Sequence, residues 1–302
     1  MDLGLLTGCL ADVSLPEVAR WAAETGFQAI EAPCALRGAS WYDGARLVPS
    51  KVDEAAAAAI EELLTATGLR LSCLCYSENM LEADTATREA RWKRLAEIVR
   101  LAARLRAPTV SCLVGRDGQA RIGESIATWA RLAEETLRLA DESGVRVAVD
   151  TSPMCGAAGG SEDLPGNLAF SPELWEKLFT HARSDALGLC LDPSSLHWLG
   201  VDVLEAVTAY AERIYHVHAR DTEVFGDRLS DCSYLRPSGG WWRYRLPGLG
   251  EIDWGHLVDR LQENGYEGTL SIVHEDPIWT GPQDRVKRGL AFSRRHLAQF
   301  IV

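Results

Sequence analysis

The residues best suited to chemistry fall at the ends of short β-rich runs. Glu31 closes one run, Arg116 and Asp117 follow another, and Asp150 and Asp192 end two more. His218 with Arg220 and Asp221, then His274, Glu275 and Asp276, mark the last two. Two or three carboxylates with one imidazole suit a hard or borderline divalent ion such as Mn, Mg or Zn. The same groups serve as general acids and bases in proton transfer. Each residue also has a plainer reading, because an Asp after a strand is more often a turn or helix-cap residue. The set becomes a site only if the chain gathers the strand ends.

The apolar pattern predicts that it does. Short β-rich runs alternate with helical stretches from end to end. The expected strands are 3–10, 27–31, 70–75, 109–114, 145–150, 187–192, 214–218 and 269–273. Ser14-Leu15-Pro16-Glu17 forms a capping box with proline in the first helical turn. Leu95, Ile98, Val99, Ala102 and Leu105 share one face of a later helix, and Ile126, Trp129, Ala133, Leu137 and Ala140 share one face of the next. About eight helices follow the eight strands, with a Gly-rich loop over 156–166 and a long loop over 222–250. Such alternation calls for a parallel sheet, and eight units close into a (β/α)8 barrel over 1–302, a single domain. A doubly wound sheet is the alternative, but no G-x-G-x-x-G follows any strand. In this barrel the active site forms at the C-terminal ends of the strands.

Composition narrows the partners. The 302 residues are 47% hydrophobic and 25% charged, as in a soluble globular chain. The net charge of −12 opposes binding to phosphate backbones or anionic lipid. No run of about 18 apolar residues is present, and no basic segment precedes an apolar stretch, so neither a membrane span nor a secretory signal is expected. The eight cysteines include no C-x-x-C pair and read as reduced thiols of a cytoplasmic protein. Only Lys51, Lys93, Lys177 and Lys287 are lysines, and they fall in helices or at a helix start. Imine chemistry is not expected.

Four segments carry a resemblance. Gly188-Leu-Cys-Leu-Asp-Pro-Ser-Ser195, His216-Val-His-Ala-Arg-Asp-Thr-Glu223, Tyr244-Arg-Leu-Pro-Gly-Leu-Gly-Glu-Ile-Asp-Trp254 and Gly265-Tyr-Glu-Gly-Thr-Leu-Ser-Ile-Val-His-Glu-Asp-Pro277 resemble the sugar phosphate isomerase/epimerase family, the xylose-isomerase-like TIM barrels. The resemblance covers nearly the whole chain. It implies a metal held by a Glu ending the fifth strand, an Asp after the sixth, a His on the seventh and a Glu on the eighth. Asp192 and His218 match. Asp150 stands where the family has Glu, Val273 where it has its last Glu, and Ser195 where it has a His. A weakened metal site follows, and the two-glutamate proton transfer of the epimerases loses one partner.

Glu275 shares side-chain parity with Val273, and His197 lies two positions past Ser195, so either could compensate. The expected set is therefore Asp150, Asp192 and His218 as metal ligands, with Asp150, His218 and Glu275 as acid–base groups. Arg116, His197, Arg220 and Trp241 are the candidates for holding substrate, Trp241 offering a flat apolar face near the mouth. The leading expectation is an isomerase, epimerase or lyase acting on a polyol, sugar or related hydroxy-carbonyl compound. A metal-free barrel repurposed for a biosynthetic step, and a non-catalytic small-molecule binder, are the alternatives. The related apurinic endonucleases need a basic surface that this chain lacks. The partner is a small molecule, with no nucleic acid and no membrane. Assembly is open, a homodimer included.

Overall fold

Short runs rich in Val, Leu, Ile and Cys have no polar face to show to water, so they pair where both faces are covered. In the computed structural model, which describes residues 1–35, 38, 40–155, 165–236 and 240–301, eight such runs form a closed parallel barrel. They are β1 (Asp2–Leu6), β2 (Ala29–Pro33), β3 (Arg70–Tyr76), β4 (Thr109–Cys112), β5 (Arg146–Asp150), β6 (Leu187–Leu191), β7 (Ile214–Ala219) and β8 (Thr269–Ile272). Each pairs with the next, and Asp2 opposite Thr269 begins the β1–β8 register that closes the ring. Eight outer helices cover it: Leu15–Thr25, Glu54–Thr67, Thr85–Arg104, Ile122–Ser143, Pro172–Ala182, Val203–Tyr210, Trp254–Glu263 and Gln283–Leu297. Every residue of the two apolar faces named above is buried. The Ser14 capping box forms with both of its reciprocal bonds. None of the described helices is long and apolar enough to cross a membrane.

Three segments differ from expectation. The run 3–10 is a strand only to Leu6, after which Thr7–Leu10 coils into a 3-10 turn. The Thr7 hydroxyl donates to the carbonyls of Glu31 and Ala45, at 3.2 and 2.6 Å, drawing the chain off the sheet. The segment after Asp192 forms a helix, Pro193–Trp198, whose first N–H groups are capped by the Asp192 carboxylate. The stretch 222–250 contains an antiparallel hairpin, Asp221–Val224 with Trp242–Arg245, and a helix, Gly226–Cys232. Glu223 faces Arg243 across this hairpin and also pairs with Arg245. Most of the Gly-rich loop 156–166 lies outside the described residues.

β7 and the residue before it crowd β6 at Gly188. A Cβ there would strike the Arg213 carbonyl oxygen and the Tyr215 ring. Overpacking of this kind costs about 1–3 kcal/mol, so Gly188→Ala should lower the urea midpoint without changing the slope. An unchanged midpoint would show that β7 yields without cost.

Candidate active site

Barrel closure points the inward side chains of β2, β5, β6 and β7 at one axis. Glu31, on β2, is fully buried and lies between two histidines of β7. His216 Nε2 is 2.9 Å from one of its oxygens, and His218 Nε2 is 3.1 Å from the other. The two histidines meet because residues 216 and 218 share one face of the strand. His218 turns its second nitrogen, Nδ1, to Asp150 at 3.4 Å. Burial by itself would raise the Glu31 pKa, yet the carboxyl is held well below the usual range, because His218 and His216 supply positive charge and N–H bonds. Burial pushes His218 down, but Cys190, Glu31 and Asp150 together raise it well above the ordinary imidazole value. The cluster is an ionic one.

A second cluster lies two residues further along the same strands. Arg220 is buried and pairs with Asp192 through Nη2 and with Glu275 through Nη1. Its Nε donates to Ser194 Oγ at 3.1 Å, and Nη2 donates to Ser152 Oγ at 3.1 Å and Ser195 Oγ at 3.4 Å. The Tyr244 ring covers the guanidinium, with its centroid 3.7 Å from Cζ. Burial works against the charge of Arg220, but Asp192 and Glu275 raise its pKa well above the ordinary value. Asp192 also accepts the Ser194 hydroxyl and the backbone N–H groups of Ser194 and Ser195.

Beside these clusters, a cavity of about 410 Å³ opens at the ends of β1, β2, β3 and β8. Tyr76, Ser77, Glu78, Val273, His274 and Glu275 are among its lining residues. Two of them carry buried polar atoms without a hydrogen-bond partner, the Tyr76 hydroxyl and His274 Nε2. Such orphans ask for a partner. Glu275 borders the cavity while holding Arg220, so it joins the two.

The sequence candidates divide accordingly. Asp150 meets His218, and Asp192 meets Arg220 and Glu275. The other three are placed elsewhere. Arg116 donates to the Pro165 carbonyl at 3.3 Å and fastens the neighbouring loop. His197 faces Glu251 at 3.4 Å in an outer groove, because two residues along a helix from Ser195 is more than half a turn. Trp241 is fully buried, its ring edge-on to Trp198 and Tyr234 and its Nε1 bonded to the Arg236 carbonyl, so it offers no open face. Sequence reasoning placed Glu31 at a strand end without assigning it a partner, and passed over Ser152, Ser194 and Tyr76. Pairing across the barrel is not written in local spacing.

The match to known proteins is decided by a family model. The description "Xylose isomerase-like TIM barrel" matches residues 19–296. The chain belongs to this family. Its curated relatives include an uncharacterised protein, YfiH, of Bacillus subtilis (strain 168), 26% identical over 146 residues, 46% of either chain. An inosose dehydratase of Clostridium perfringens is 30% identical over 124 residues, 39% of this chain and 40% of that one. These matches span less than half the length of either relative. Among solved structures, an IolI protein with a bound zinc atom superposes with TM-score 0.75 at 16% identity, covering 100% of this chain and 99% of that one. A D-psicose 3-epimerase with D-fructose gives 0.70 at 12% identity, covering 99% of each. At these identities the likeness shows the fold.

A xylose isomerase-like barrel implies a divalent ion, and the chain does hold candidate donor groups. Among the described residues, Glu31–Cys73–His216 and Asp150–Cys190–His218 each bring three donor atoms within 4.8 Å of one another. They do not fit the family's four-ligand arrangement. Asp192 belongs to neither group and is occupied by Arg220. Val273 and Ser195 bring no charge.

Glu31 sets a pH prediction. Its depressed pKa gives stability that is present above about pH 4.3 and lost as pH falls through the folded value. The raised pKa of His218 gives stability that is full below about pH 6.5 and lost as pH rises through its folded value. Glu31→Gln should therefore cost about 3–5 kcal/mol near neutral pH and flatten both limbs. Urea unfolding from acid to alkaline pH checks this, and an unchanged profile refutes it.

Proposed function

We propose that this chain is a sugar isomerase/epimerase-like enzyme that acts on a polyol, sugar or related hydroxy-carbonyl compound by proton transfer or elimination. The observation that carries the reading is the mouth cavity, which Glu275 lines together with Ser77 and Glu78. A polyhydroxy ligand supplies both donors and acceptors, which is what a serine hydroxyl and two carboxylates in one wall can pair with. The inosose dehydratase and D-psicose 3-epimerase relatives act on compounds of this kind, as their names state.

In this reading Glu275 takes a proton from the carbon next to the substrate carbonyl, and the electron pair moves to the carbonyl oxygen as an enediolate. Returning that proton to the former carbonyl carbon, while the hydroxyl proton of the first carbon passes to the enediolate oxygen, gives the isomer. Departure of a β-hydroxyl with the proton that Glu275 took gives water and the dehydrated product. Val273 presents only methyl groups where a second carboxylate would stand. The single-base reactions, isomerisation and elimination, are therefore favoured over epimerisation with a base on each face. Asp150 and His218 hold the charge pattern behind the reacting groups, and 1–302 acts as one unit. The partner is a small molecule, and the place of action is the cytoplasm, in keeping with eight free thiols and the charge of −12.

Proton NMR in deuterium oxide with a panel of ketoses and inososes tests this. Wild type should exchange a substrate proton or form an enone. Glu275→Gln should lower the rate by about 10²–10⁴-fold. Ser77→Ala should mainly raise KM. If polyols shift the melting temperature but no proton exchanges, the chain is a binding protein and the enzymatic reading is wrong.

A further inference from the structure

We propose that Arg220 is a built-in cation that stands in for the divalent ion of the family site. A second polar layer lies two residues beyond the inner one on three strand ends. Ser152 follows Asp150, Arg220 follows His218 and Glu275 follows Val273, each at the same side-chain parity. Ser152 and Glu275 meet around the Arg220 guanidinium. Asp192 keeps its place and serves this outer layer. Ser195, which stands where the resemblance implies a histidine, accepts from Arg220 at 3.4 Å.

The guanidinium is occupied on every edge. Nη1 holds Glu275, Nη2 holds Asp192, and Nε holds Ser194. Its face is covered by Tyr244. Both oxygens of Asp192 are likewise used, Oδ2 by Arg220 and Oδ1 by Ser194 and the Ser195 N–H. An ion seated on Asp192 would have to displace a cation that is already hydrogen-bonded there. Arginine suits this task because it stays protonated and its planar fork fits two carboxylates at once. With the charge supplied by the chain, loss of the carboxylate at Val273 and the histidine at Ser195 leaves no deficit.

The test reads metal rather than turnover, so it stands or fails independently of the proposed reaction. Binding of Mn and Zn ions is measured by calorimetry, and by metal analysis after gel filtration, on wild type, Arg220→Lys, Arg220→Gln and Arg220→Ala. Wild type and Arg220→Lys should bind neither ion more tightly than about 10⁻⁵ M, the weak side of sensor-type sites. Arg220→Gln and Arg220→Ala vacate Asp192 and should gain affinity by at least about 100-fold. Adding Asp192→Asn should abolish the gain. If the neutral variants do not fold, Arg220→Gln combined with Glu275→Gln removes the cation and one anion together and takes their place. Tighter binding by wild type, or no gain in any folded neutral variant, overturns the proposal.

Discussion

Charge buried along the barrel axis has to be balanced at each level, and this requirement organises the molecule around it. Glu31 cannot be ionised in a dry interior without partners, since an unpaired buried charge costs several kcal/mol. It sits on β2, and its partners come from β7, across the barrel, so the cluster ties opposite walls through His216 and His218. One layer out, Arg220 poses the opposite problem and is balanced by Asp192 and Glu275. Asp150 stands between the two levels, in contact with His218 and next to Ser152. Removing Glu31 or Arg220 takes a counter-charge from two partners at once. The residues at the strand ends are therefore as much a condition of the fold as a consequence of it.

The carboxylates that follow the last strands show how a structural role can resemble a functional one. Asp221 is fully buried and accepts from the Trp254 indole, from the backbone N–H groups of Gly248 and Ile252, and from that of Thr222. Asp276 accepts from Arg245 and from the Leu246 and Ile278 amides. Together with Glu223 they fix the Asp221–Val224/Trp242–Arg245 hairpin over the barrel mouth. That hairpin carries Trp242, stacked on Trp198 at 4.4 Å, and Tyr244, which covers Arg220. Asn167 works similarly on the other side, accepting from the Val114 and Gly115 amides and donating to the Asp150 and Ser152 carbonyls. Such carboxylates and amides satisfy backbone groups where strands give way to loops.

The barrel was legible because periodicity is local: alternation of β-rich runs with amphipathic helices predicts the order of elements and places Asp150, Asp192, His218 and Glu275 near strand ends. The hairpin after β7 was not, because its strands are short, only partly buried and separated by a helix, so neither run shows a buried face. His197 and Trp241 were misplaced for a related reason. Counting residues from a motif assumes an extended chain, whereas the segment after Asp192 is helical and turns His197 away. The partnerships of Glu31 and Arg220 are long-range pairings, and no sequence spacing encodes which of several inward charges will touch.

The separation between charge column and cavity bears on how one fold supports different chemistry. In a metal-centred site, ligation and proton transfer share the same carboxylates, so losing one impairs both. In the proposed reaction the two tasks are divided. Arg220 and Asp192 hold charge away from solvent, while the cavity wall alternates apolar Val273 with polar His274 and Glu275. Glu275 alone belongs to both, since one of its oxygens holds Arg220 and its side chain is half exposed. A cation fixed beside a carboxylate orients it without needing to be recruited from solution, and orientation is a large part of what a catalytic base requires. In the reaction proposed above, the valine at 273 is a shaping residue: it lines the cavity without supplying a second base, so that Glu275 acts alone.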